Sequence, residues 1–428
     1  MQVREYKQLK ETLYTETLEN GLKVYLLPKP GFQKTYATFS TRYGSVDNRF
    51  RVGDGQIQDV PDGIAHFLEH KMFEEPTGDI FATFAEQGAS ANAFTSFDRT
   101  LYLFSATDRI EENVTTLLDF VQNPYFTDEN VEKEKGIIGQ EIKMYDDHPD
   151  FRVYYGLLEA MFHRHPIRID IAGTIESIAQ ITKETLYTCY RTFYHPSNMG
   201  LFIAGGIDPD NLLALIRRNQ AGKTFEPQGP IERFYPEEPD SVCEPVKRFR
   251  LPVSEPKCLF GFKEGTGPID AAQLLRQEVL TEVMLDALFG PSSDLYQTLY
   301  EEELISDSFG FDYNASQECR FSVLGGDTPD PDRLLVRFRE LLEPVIASGL
   351  AAEDFERSRK KKIGGFLRML NSTEAVANTY TTYAFRGIDL FDCLSLYGEL
   401  TLEEANRRLR DHFRWDRLAV SIVSAQES

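Results

Sequence analysis

The sequence has little of what membrane spans, disulfide frameworks and nucleic-acid binders need. No apolar run of about 18 residues occurs, so no transmembrane helix is predicted. The five cysteines lie far apart and form no C-x-x-C pair, which argues against a zinc knuckle or a disulfide framework. Lys and Arg number 46 against 68 Asp and Glu, and the net charge of −22 disfavours nucleic acid as a partner. The first residues lack the apolar centre of a secretory signal, so we expect a cytoplasmic protein without membrane contact.

Proline is concentrated in one stretch. Seven of the 21 prolines lie between positions 227 and 256. Because proline interrupts helices and central strands, this stretch is predicted to be an extended linker. A chain of 428 residues with 41% hydrophobic content can form two domains, each with its own core. We therefore predict an N-terminal domain over residues 1–225, a linker over 226–256 and a C-terminal domain over 257–428.

Two pairs of segments indicate that the domains are diverged copies of each other. The segment DENVEKEKGIIGQEIKM, from Asp128, matches EDFERSRKKKIGGFLRM, from Glu353, in length and helical periodicity. The segment ITKETLYTCYRTFY, from Ile181, matches LTLEEANRRLRDHF, from Leu400, in the same way.

The first half begins with strand signals and continues with helix signals. Runs rich in β-branched and aromatic residues occupy positions 22–27 and 35–41, and helical periodicity follows at 111–122 and 127–146. This order predicts an α+β fold. We expect two related sandwich domains, each a mixed sheet covered by helices.

A helix predicted to begin with Asp62 as its N-cap carries the motif His66-Phe67-Leu68-Glu69-His70. Residues four apart on a helix share one face, so both histidines can bind a single ion. A catalytic zinc takes three protein ligands and leaves one position open for water. The motif H-x-x-E-H is a metallopeptidase signature whose glutamate takes a proton from that water. The alternative is two surface histidines on an amphipathic helix.

The third ligand has to come from elsewhere in the chain. Glu134 and Glu141 lie seven positions apart, on nearly one face of the helix predicted from residue 127. Gly136 and Gly139 lower the stability of that helix, and close approach of another helix would explain them. The alternative is that both glutamates are solvated, as most glutamates are. Spacing alone leaves the choice of ligand open.

The sequence resembles the family of pitrilysin, insulin-degrading enzyme and mitochondrial processing peptidase. The resemblance implies that His66, His70 and Glu141 hold one zinc ion per chain. It implies that Glu69 is the catalytic base and that Glu134 supports catalysis from outside the ligand shell. The resemblance covers nearly the whole chain and rests on blocks in the family's order, namely TLENGLKVYLLP, PDGIAHFLEHKMFE, GASANAFTSFDRTLYLFS, VEKEKGIIGQEIKMYDD and residues 173–207.

The resemblance also implies how a peptide binds. Family members add the substrate as a strand at a sheet edge beside the zinc helix, where backbone hydrogen bonds give affinity that tolerates many sequences. The matching segment here is Ser90 to Thr95. We expect Asn92, Ala93 and Thr95 to be the substrate-binding residues. For Asn92 the alternative is a turn-side asparagine that caps a strand.

One feature of the family is missing from this sequence. Active members carry an Arg-x6-Tyr pair in the second half, and the best-matching segment here, LYEEELISDSFGF, has Tyr300 and Asp307 at those positions. The resemblance therefore implies a zinc endopeptidase subunit that forms half of a clamshell with a homologous, non-zinc subunit carrying the pair. One bacterial subgroup with paired subunits has names linking it to modification of translation elongation factor P. The alternative is a non-enzymatic, peptide-binding or structural member of the same family.

Overall fold

A computed structural model describes residues 1–76, 78–267 and 269–425, so the last three positions of the predicted C-terminal domain lie outside the described residues. The strands, in chain order, are β1 (Gln2–Tyr6), β2 (Glu11–Thr17), β3 (Lys23–Pro28), β4 (Thr35–Thr41), β5 (Arg49–Val52), β6 (Gln58–Asp59), β7 (Glu74–Glu75), β8 (Gly78–Asp79), β9 (Ala89–Thr95), β10 (Thr100–Ala106), β11 (Met199–Gly205), β12 (Ile231–Arg233), β13 (Val246–Arg250), β14 (Lys257–Lys263), β15 (Gly310–Ala315), β16 (Arg320–Asp327) and β17 (Leu418–Ser424).

Helices follow and separate these strands. In chain order they are α1 (Ile64–Met72), α2 (Ile80–Glu86), α3 (Ile110–Val121), α4 (Asp128–Asp146), α5 (Pro149–Met161), α6 (Ile175–Ile178), α7 (Lys183–Phe193), α8 (Pro209–Ala221), α9 (Ala271–Phe289), α10 (Asp294–Glu301), α11 (Pro331–Ser348), α12 (Ala352–Met369), α13 (Thr373–Phe385), α14 (Cys393–Glu399) and α15 (Leu402–His412). Among the described residues, none of these helices has the length and apolar composition that a membrane crossing needs.

The first sheet has the spatial order β1-β2-β3-β11-β4-β10-β9. Strands β3 and β11 are parallel, and the other neighbours are antiparallel. Strand β4 is rich in Thr and aromatic residues and is buried along its whole length, which suits a central strand. Strand β9 lies at the edge, so its outer side presents backbone groups that the sheet does not pair.

The second sheet repeats this pattern with the order β13-β17-β14-β16-β15. Its first pair, β13 and β17, is parallel, and the remaining pairs are antiparallel, as in the series β3-β11-β4-β10-β9 of the first sheet. The predicted α+β fold, with mixed sheets and helices in two related halves, is confirmed.

The helices that the sequence pairs as repeats hold equivalent places. Helix α7 begins after Thr182 and α15 after Thr401, and each of these threonines forms a capping box with the residue three positions on. A short 3-10 turn and a strand follow in both cases, β11 after α7 and β17 after α15. Helices α4 and α12 likewise hold the segments matched from Asp128 and Glu353.

The chain forms two compact units that do not follow the predicted linear division. The first contains residues 1–142, 170–235 and 369–385, and the second contains residues 143–169, 236–368 and the chain from Arg386 onward. Helix α5 therefore belongs to the second unit and helix α13 to the first. The predicted linker includes strands β12 and β13, so part of it is paired in sheets.

Specific contacts hold α13 in the first unit and α5 in the second. In the first unit, Thr381 of α13 is hydrogen-bonded to Thr38 of β4 with 3.1 Å between their hydroxyl oxygens. The ring of Tyr380 lies 5.2 Å from that of Tyr25. In the second unit, a Cβ at Gly156 of α5 would lie 2.3 Å from the ring of Phe249, so only glycine allows this close approach.

The core of the first unit is an extensive cluster of buried apolar side chains from its sheet and helices. It includes two residues of the metal-motif helix, Phe67 and Leu68, which are fully buried. Burial of such side chains stabilises the fold by roughly 1.5–3 kcal/mol each. Other members are Phe39, Leu117, Leu118, Leu186 and Ile203.

Candidate metal centre

Helix α1 begins at a glycine. The sequence predicts Asp62 as N-cap, and this is wrong, because Gly63 occupies that position with φ 86° and without a side-chain cap. A Cβ at Gly63 would lie 2.4 Å from the carbonyl oxygen of Ala172, and only glycine tolerates both the left-handed backbone and this approach. The Asp62 carbonyl instead accepts a hydrogen bond from the Ser177 hydroxyl at 2.8 Å. These contacts fix where the helix starts.

Helix α1 buries one face and turns the two histidines to the other. The buried face is an apolar stripe that also contains a lysine; its members are Ile64, Phe67, Leu68, Lys71 and Met72. The side chains of His66 and His70 keep 13% and 28% exposure. The packed stripe therefore holds the helix in place while both imidazoles remain accessible to an ion.

Helix α4 carries both glutamates and has a well-defined start. The backbone N–H of Thr127 donates to the Asn130 side chain at 2.9 Å, and the N–H of Asn130 donates to the Thr127 hydroxyl at 3.1 Å. The predicted close helix approach at both glycines is wrong. A Cβ at Gly136 would meet no described atom within 4 Å, and one at Gly139 would meet only an ordinary contact of 3.4 Å. Nothing in the structure explains Gly136.

The two histidines and Glu141 converge. His66 Nε2 lies 3.8 Å from one carboxylate oxygen of Glu141, and His70 Nε2 lies 3.7 Å from the other. One ligand atom from each residue lies within 4.8 Å of the others, and no second such group of three occurs within the residues that the structure describes. Zinc with bonds of about 2.0–2.1 Å separates tetrahedral ligands by roughly 3.4 Å. The two distances from the histidines to Glu141 exceed this spacing by only a few tenths of an ångström, and two imidazoles with one carboxylate are a common zinc donor set, so these residues fit zinc.

His66 is held as a neutral imidazole. Burial, aided by the nearby His70, lowers its pKa to about 3. Its Nδ1 is buried and has no hydrogen-bond partner among the described residues. A neutral ring is the form that ligates a metal. His66 therefore offers Nε2 towards Glu141 and needs no proton to be removed first.

Glu134 holds the second histidine from behind. Its Oε1 lies 3.1 Å from Nδ1 of His70, the ring nitrogen that does not face Glu141. Burial acts to raise the pKa of Glu134, but the hydrogen bond and charge of His70, with the charge of Lys71, lower it. A charged carboxylate on the outer nitrogen of a metal-binding histidine fixes the ring and raises its basicity. The distances to the histidine nitrogens therefore distinguish Glu134 from Glu141, which their spacing along the helix could not do.

Glu69 is a buried carboxylate beside the converging ligands. Burial raises its pKa, and the hydrogen bond from Thr95 partly opposes this. The Thr95 hydroxyl donates to Glu69 Oε2 at 2.7 Å. A carboxylate with a raised pKa is suited to accept a proton near neutral pH. Thr95, predicted as a substrate contact, therefore also orients the predicted base.

The edge strand β9 ends at this hydroxyl. Asn92 is exposed on the strand, and its side-chain oxygen accepts the backbone N–H of Ala93 at 2.9 Å. The amide of Asn92 thus covers a backbone donor of the segment that the sequence predicts to bind peptide. Three residues later, the same strand reaches Glu69 through Thr95.

Comparison with known proteins identifies the family. A model described as Insulinase (Peptidase family M16) matches residues 45–175, and one described as Peptidase M16 inactive domain matches residues 180–362. The uncharacterized zinc protease YmfH of Bacillus subtilis (strain 168) is 51% identical over 422 residues, which is 98% of each chain. The chain belongs to peptidase family M16. The predicted resemblance to the pitrilysin and insulinase family is confirmed.

Other proteins are also similar to this chain. The uncharacterized zinc protease YmxG of Bacillus subtilis (strain 168) is 26% identical over 374 residues, covering 84% of this chain and 85% of its own. A crystal structure described as an M16-like peptidase, from Alicyclobacillus acidocaldarius, superposes with a TM-score of 0.95 at 48% identity and covers 97% of this chain and 99% of its own. A protease from Helicobacter pylori, with a TM-score of 0.84 at 17% identity over 96% of this chain and 99% of its own, shares the fold.

Two contacts of this M16 site escaped the sequence analysis. Nothing local indicates that Thr95 bonds Glu69, since the residues lie on different elements. Lys71 was also missed, although a signal exists. With Ile64 as i, Lys71 is residue i+7 of a stripe formed by i, i+3, i+4 and i+7, where an apolar residue is expected.

Proposed function

We propose that this chain is the zinc-bearing subunit of an M16 endopeptidase. The observation that carries the proposal is the convergence of His66 Nε2, His70 Nε2 and the Glu141 carboxylate, with the buried Glu69 carboxylate beside them. Three protein donors leave one position of a tetrahedral ion open, as catalytic sites require. The naming of relatives such as YmfH as zinc proteases supports the same reading.

In the proposed hydrolysis, the metal ligands, Glu69 and Thr95 have separate roles. A zinc ion held by His66, His70 and Glu141 would supply a Lewis acid that makes water acidic and polarises a peptide carbonyl. Glu69 takes the proton of the attacking water and delivers it to the leaving amine. Thr95 directs one oxygen of Glu69 by its hydrogen bond, which leaves the other free for this transfer.

Strand β9 is the proposed binding edge for the peptide. An extended peptide paired with its outer side would run towards Glu69, because Thr95 at the end of the strand is bonded to that carboxylate. The N–H of Ala93 can bond a peptide carbonyl once the side chain of Asn92 releases it. Asn92 is then free to contact the peptide itself.

A second, homologous chain is part of the proposal. Tyr300 and Asp307 stand where active relatives carry the Arg-x6-Tyr pair, and an aspartate repels the negative charge that develops on the carbonyl. We therefore propose a heteromer with a non-zinc chain that supplies the arginine and tyrosine. Bacillus subtilis has two relatives of this chain, YmfH and YmxG, so one organism can hold more than one homologous chain.

The cysteine pattern of the sequence supports a cytoplasmic location within this proposal. A link with modification of elongation factor P is a hypothesis from resemblance alone. The second candidate function is a non-enzymatic, peptide-binding member. The absent Arg-x6-Tyr pair favours it, as does the match of residues 180–362 to a model described as an inactive domain.

Metal analysis followed by peptide cleavage tests the proposal. We expect about one zinc per chain, weak cleavage by the chain alone and strong cleavage with the homologous partner. Changing the partner's arginine to alanine should remove the gain, and Glu69→Gln in this chain serves as the inactive control. Absence of zinc would contradict the metal site. Full activity of the isolated chain would contradict the heteromer, and zinc without cleavage in any combination would favour the peptide-binding alternative.

A further inference from the structure

Lys71, the residue after His70, carries a charge into the core. Its side chain is 0% exposed and lies on the buried stripe of α1 among apolar residues. Moving an ammonium group out of water costs several kcal/mol unless it is paired and hydrogen-bonded. The groups that pair Lys71 therefore indicate what the charge does.

Two carboxylates face Lys71, and one of them belongs to the candidate metal centre. Its Nζ is hydrogen-bonded to Glu74 Oε2 on β7 and lies 3.6 Å from Glu134 Oε2. The other oxygen of Glu134, Oε1, lies 3.1 Å from His70 Nδ1. The two oxygens of Glu134 are thus divided between Lys71 and His70, and the Glu134 side chain is itself 10% exposed. In such a poorly solvated setting, both interactions are stronger than at the surface.

A carboxylate with a partner on each oxygen is fixed in orientation, whereas one with a single partner can still rotate. The last torsion of a glutamate side chain is broad, so a single hydrogen bond permits many orientations. With Lys71 on Oε2, Oε1 stays on Nδ1 of His70. The ring of His70 then keeps Nε2 directed at Glu141, 3.7 Å away. Lys71 thus contacts Glu134, Glu134 contacts His70, and His70 faces the position proposed for the ion.

We propose that Lys71 is a positioning residue that sets the metal affinity of His70 by holding Glu134. The inference rests on the proposed zinc site and adds to it a residue that does not touch the ion. It also separates two roles for Lys71. Its bond to Glu74 ties α1 to β7 and supports the fold, whereas its approach to Glu134 serves the metal.

The test is a double-mutant cycle between Lys71 and Glu134, read as zinc affinity. The variants are Lys71→Met, which keeps the length and removes the charge, Glu134→Gln and the two together. Zinc dissociation constants are measured by competition with a chelator on the full chain, and the melting temperature of the zinc-free form is recorded for each variant. The matched control is Lys135→Met, which breaks the Lys135–Glu132 pair of the same i,i+3 spacing on α4.

Lys71→Met should weaken zinc binding about tenfold, within the range seen when outer partners of metal ligands are removed. In the Glu134→Gln background, the same change should have less than about a twofold effect, because the route to His70 is already broken. Lys135→Met should change affinity by less than about twofold. Lys71→Gln replaces Lys71→Met if the latter fails to fold, with the same comparison between backgrounds.

A purely structural role predicts a different pattern. Lys71→Met would then lower the melting temperature of the zinc-free form and leave zinc affinity unchanged, as would Glu74→Gln. Equal effects of Lys71→Met with and without Glu134→Gln would also overturn the inference, since Lys71 would not act through Glu134. Wild-type protein that binds no zinc would instead defeat the proposed metal site, and the two failures are therefore distinguishable.

Discussion

Replacing Glu134 and Glu141 of α4 in turn tests which of the two is the metal ligand. The expected result is that Glu141→Ala loses zinc at concentrations that saturate the wild type, whereas Glu134→Ala binds zinc more weakly and fills when the zinc concentration is raised. The reason is positional. The carboxylate oxygens of Glu141 face the Nε2 atoms of both histidines at 3.8 and 3.7 Å, whereas the histidine nitrogen that Glu134 faces is Nδ1 of His70, at 3.1 Å.

The magnitudes follow from these positions. Zinc at 100 times its dissociation constant stabilises a folded protein by about 2.7 kcal/mol. For a unit of this size that corresponds to a rise in melting temperature of about 5–10 °C. Glu134→Ala should cost 10- to 100-fold in affinity, or about 1.4–2.7 kcal/mol. Glu141→Ala, which removes a ligand, should cost more and abolish the zinc-dependent rise.

Two measurements are sufficient: zinc content after dialysis against defined free zinc, and melting curves over a zinc titration. Glu132→Ala is the matched control, since Glu132 lies on the same helix with a side chain 69% exposed. It should behave as the wild type. Stoichiometric zinc in Glu141→Ala together with an empty Glu134→Ala would reverse the assignment and refute the argument from distance.

Three further outcomes are expected. Glu69→Gln should retain zinc and lose at least about a hundredfold in peptide turnover, because an amide cannot accept the proton of water; turnover near wild type would exclude Glu69 as base. Ala93→Pro should raise KM without changing zinc content, because it removes the N–H at which the peptide is expected to pair; an unchanged KM would mean that the peptide binds elsewhere. Burial acts to raise the pKa of Glu264, but the charge of Arg408 and the hydrogen bond of His412 lower it to about 2. The unfolded chain therefore binds this proton at higher pH than the folded one, and the stability present above about pH 5 is lost as the pH falls towards 2. Glu264→Gln should flatten this acid loss in a series of melting temperatures, and an unchanged slope would contradict it.

Local features of the site were predictable because they depend on short-range rules. The helix with its two histidines follows from a four-residue spacing, and the strand at 35–41 matches β4 residue for residue. The prediction of Asp62 as the N-cap of α1 was wrong because it rested on side-chain preference alone. The backbone at Gly63 is instead constrained by Ala172, more than a hundred residues away in the sequence.

The remaining differences are also non-local. Helical spacing puts Glu134 and Glu141 on one face and cannot say which ring nitrogen each will meet. The local sequence of α5 and α13 likewise does not say which sheet each helix covers. For Lys71, the sequence shows a charged residue at a position of α1 where an apolar one is expected. It does not show that this residue contacts Glu134 on α4.

The exchange of α5 and α13 between the two units has a consequence for how the protein is made. Synthesis proceeds from the N-terminus, and domains tend to fold as units while the chain emerges. Here the unit that contains the candidate metal centre cannot be completed early. The side chains of Tyr380 and Thr381 that lie on Tyr25 and Thr38 emerge only when nearly the whole chain has left the ribosome. Until then strands β4 and β11 lack their contacts with α13, and α5 cannot pack until strands β13 and β14 have been synthesised. A nascent chain that stops in the proline-rich stretch would therefore expose apolar surface in both partial units and be a substrate for chaperones and quality-control proteases.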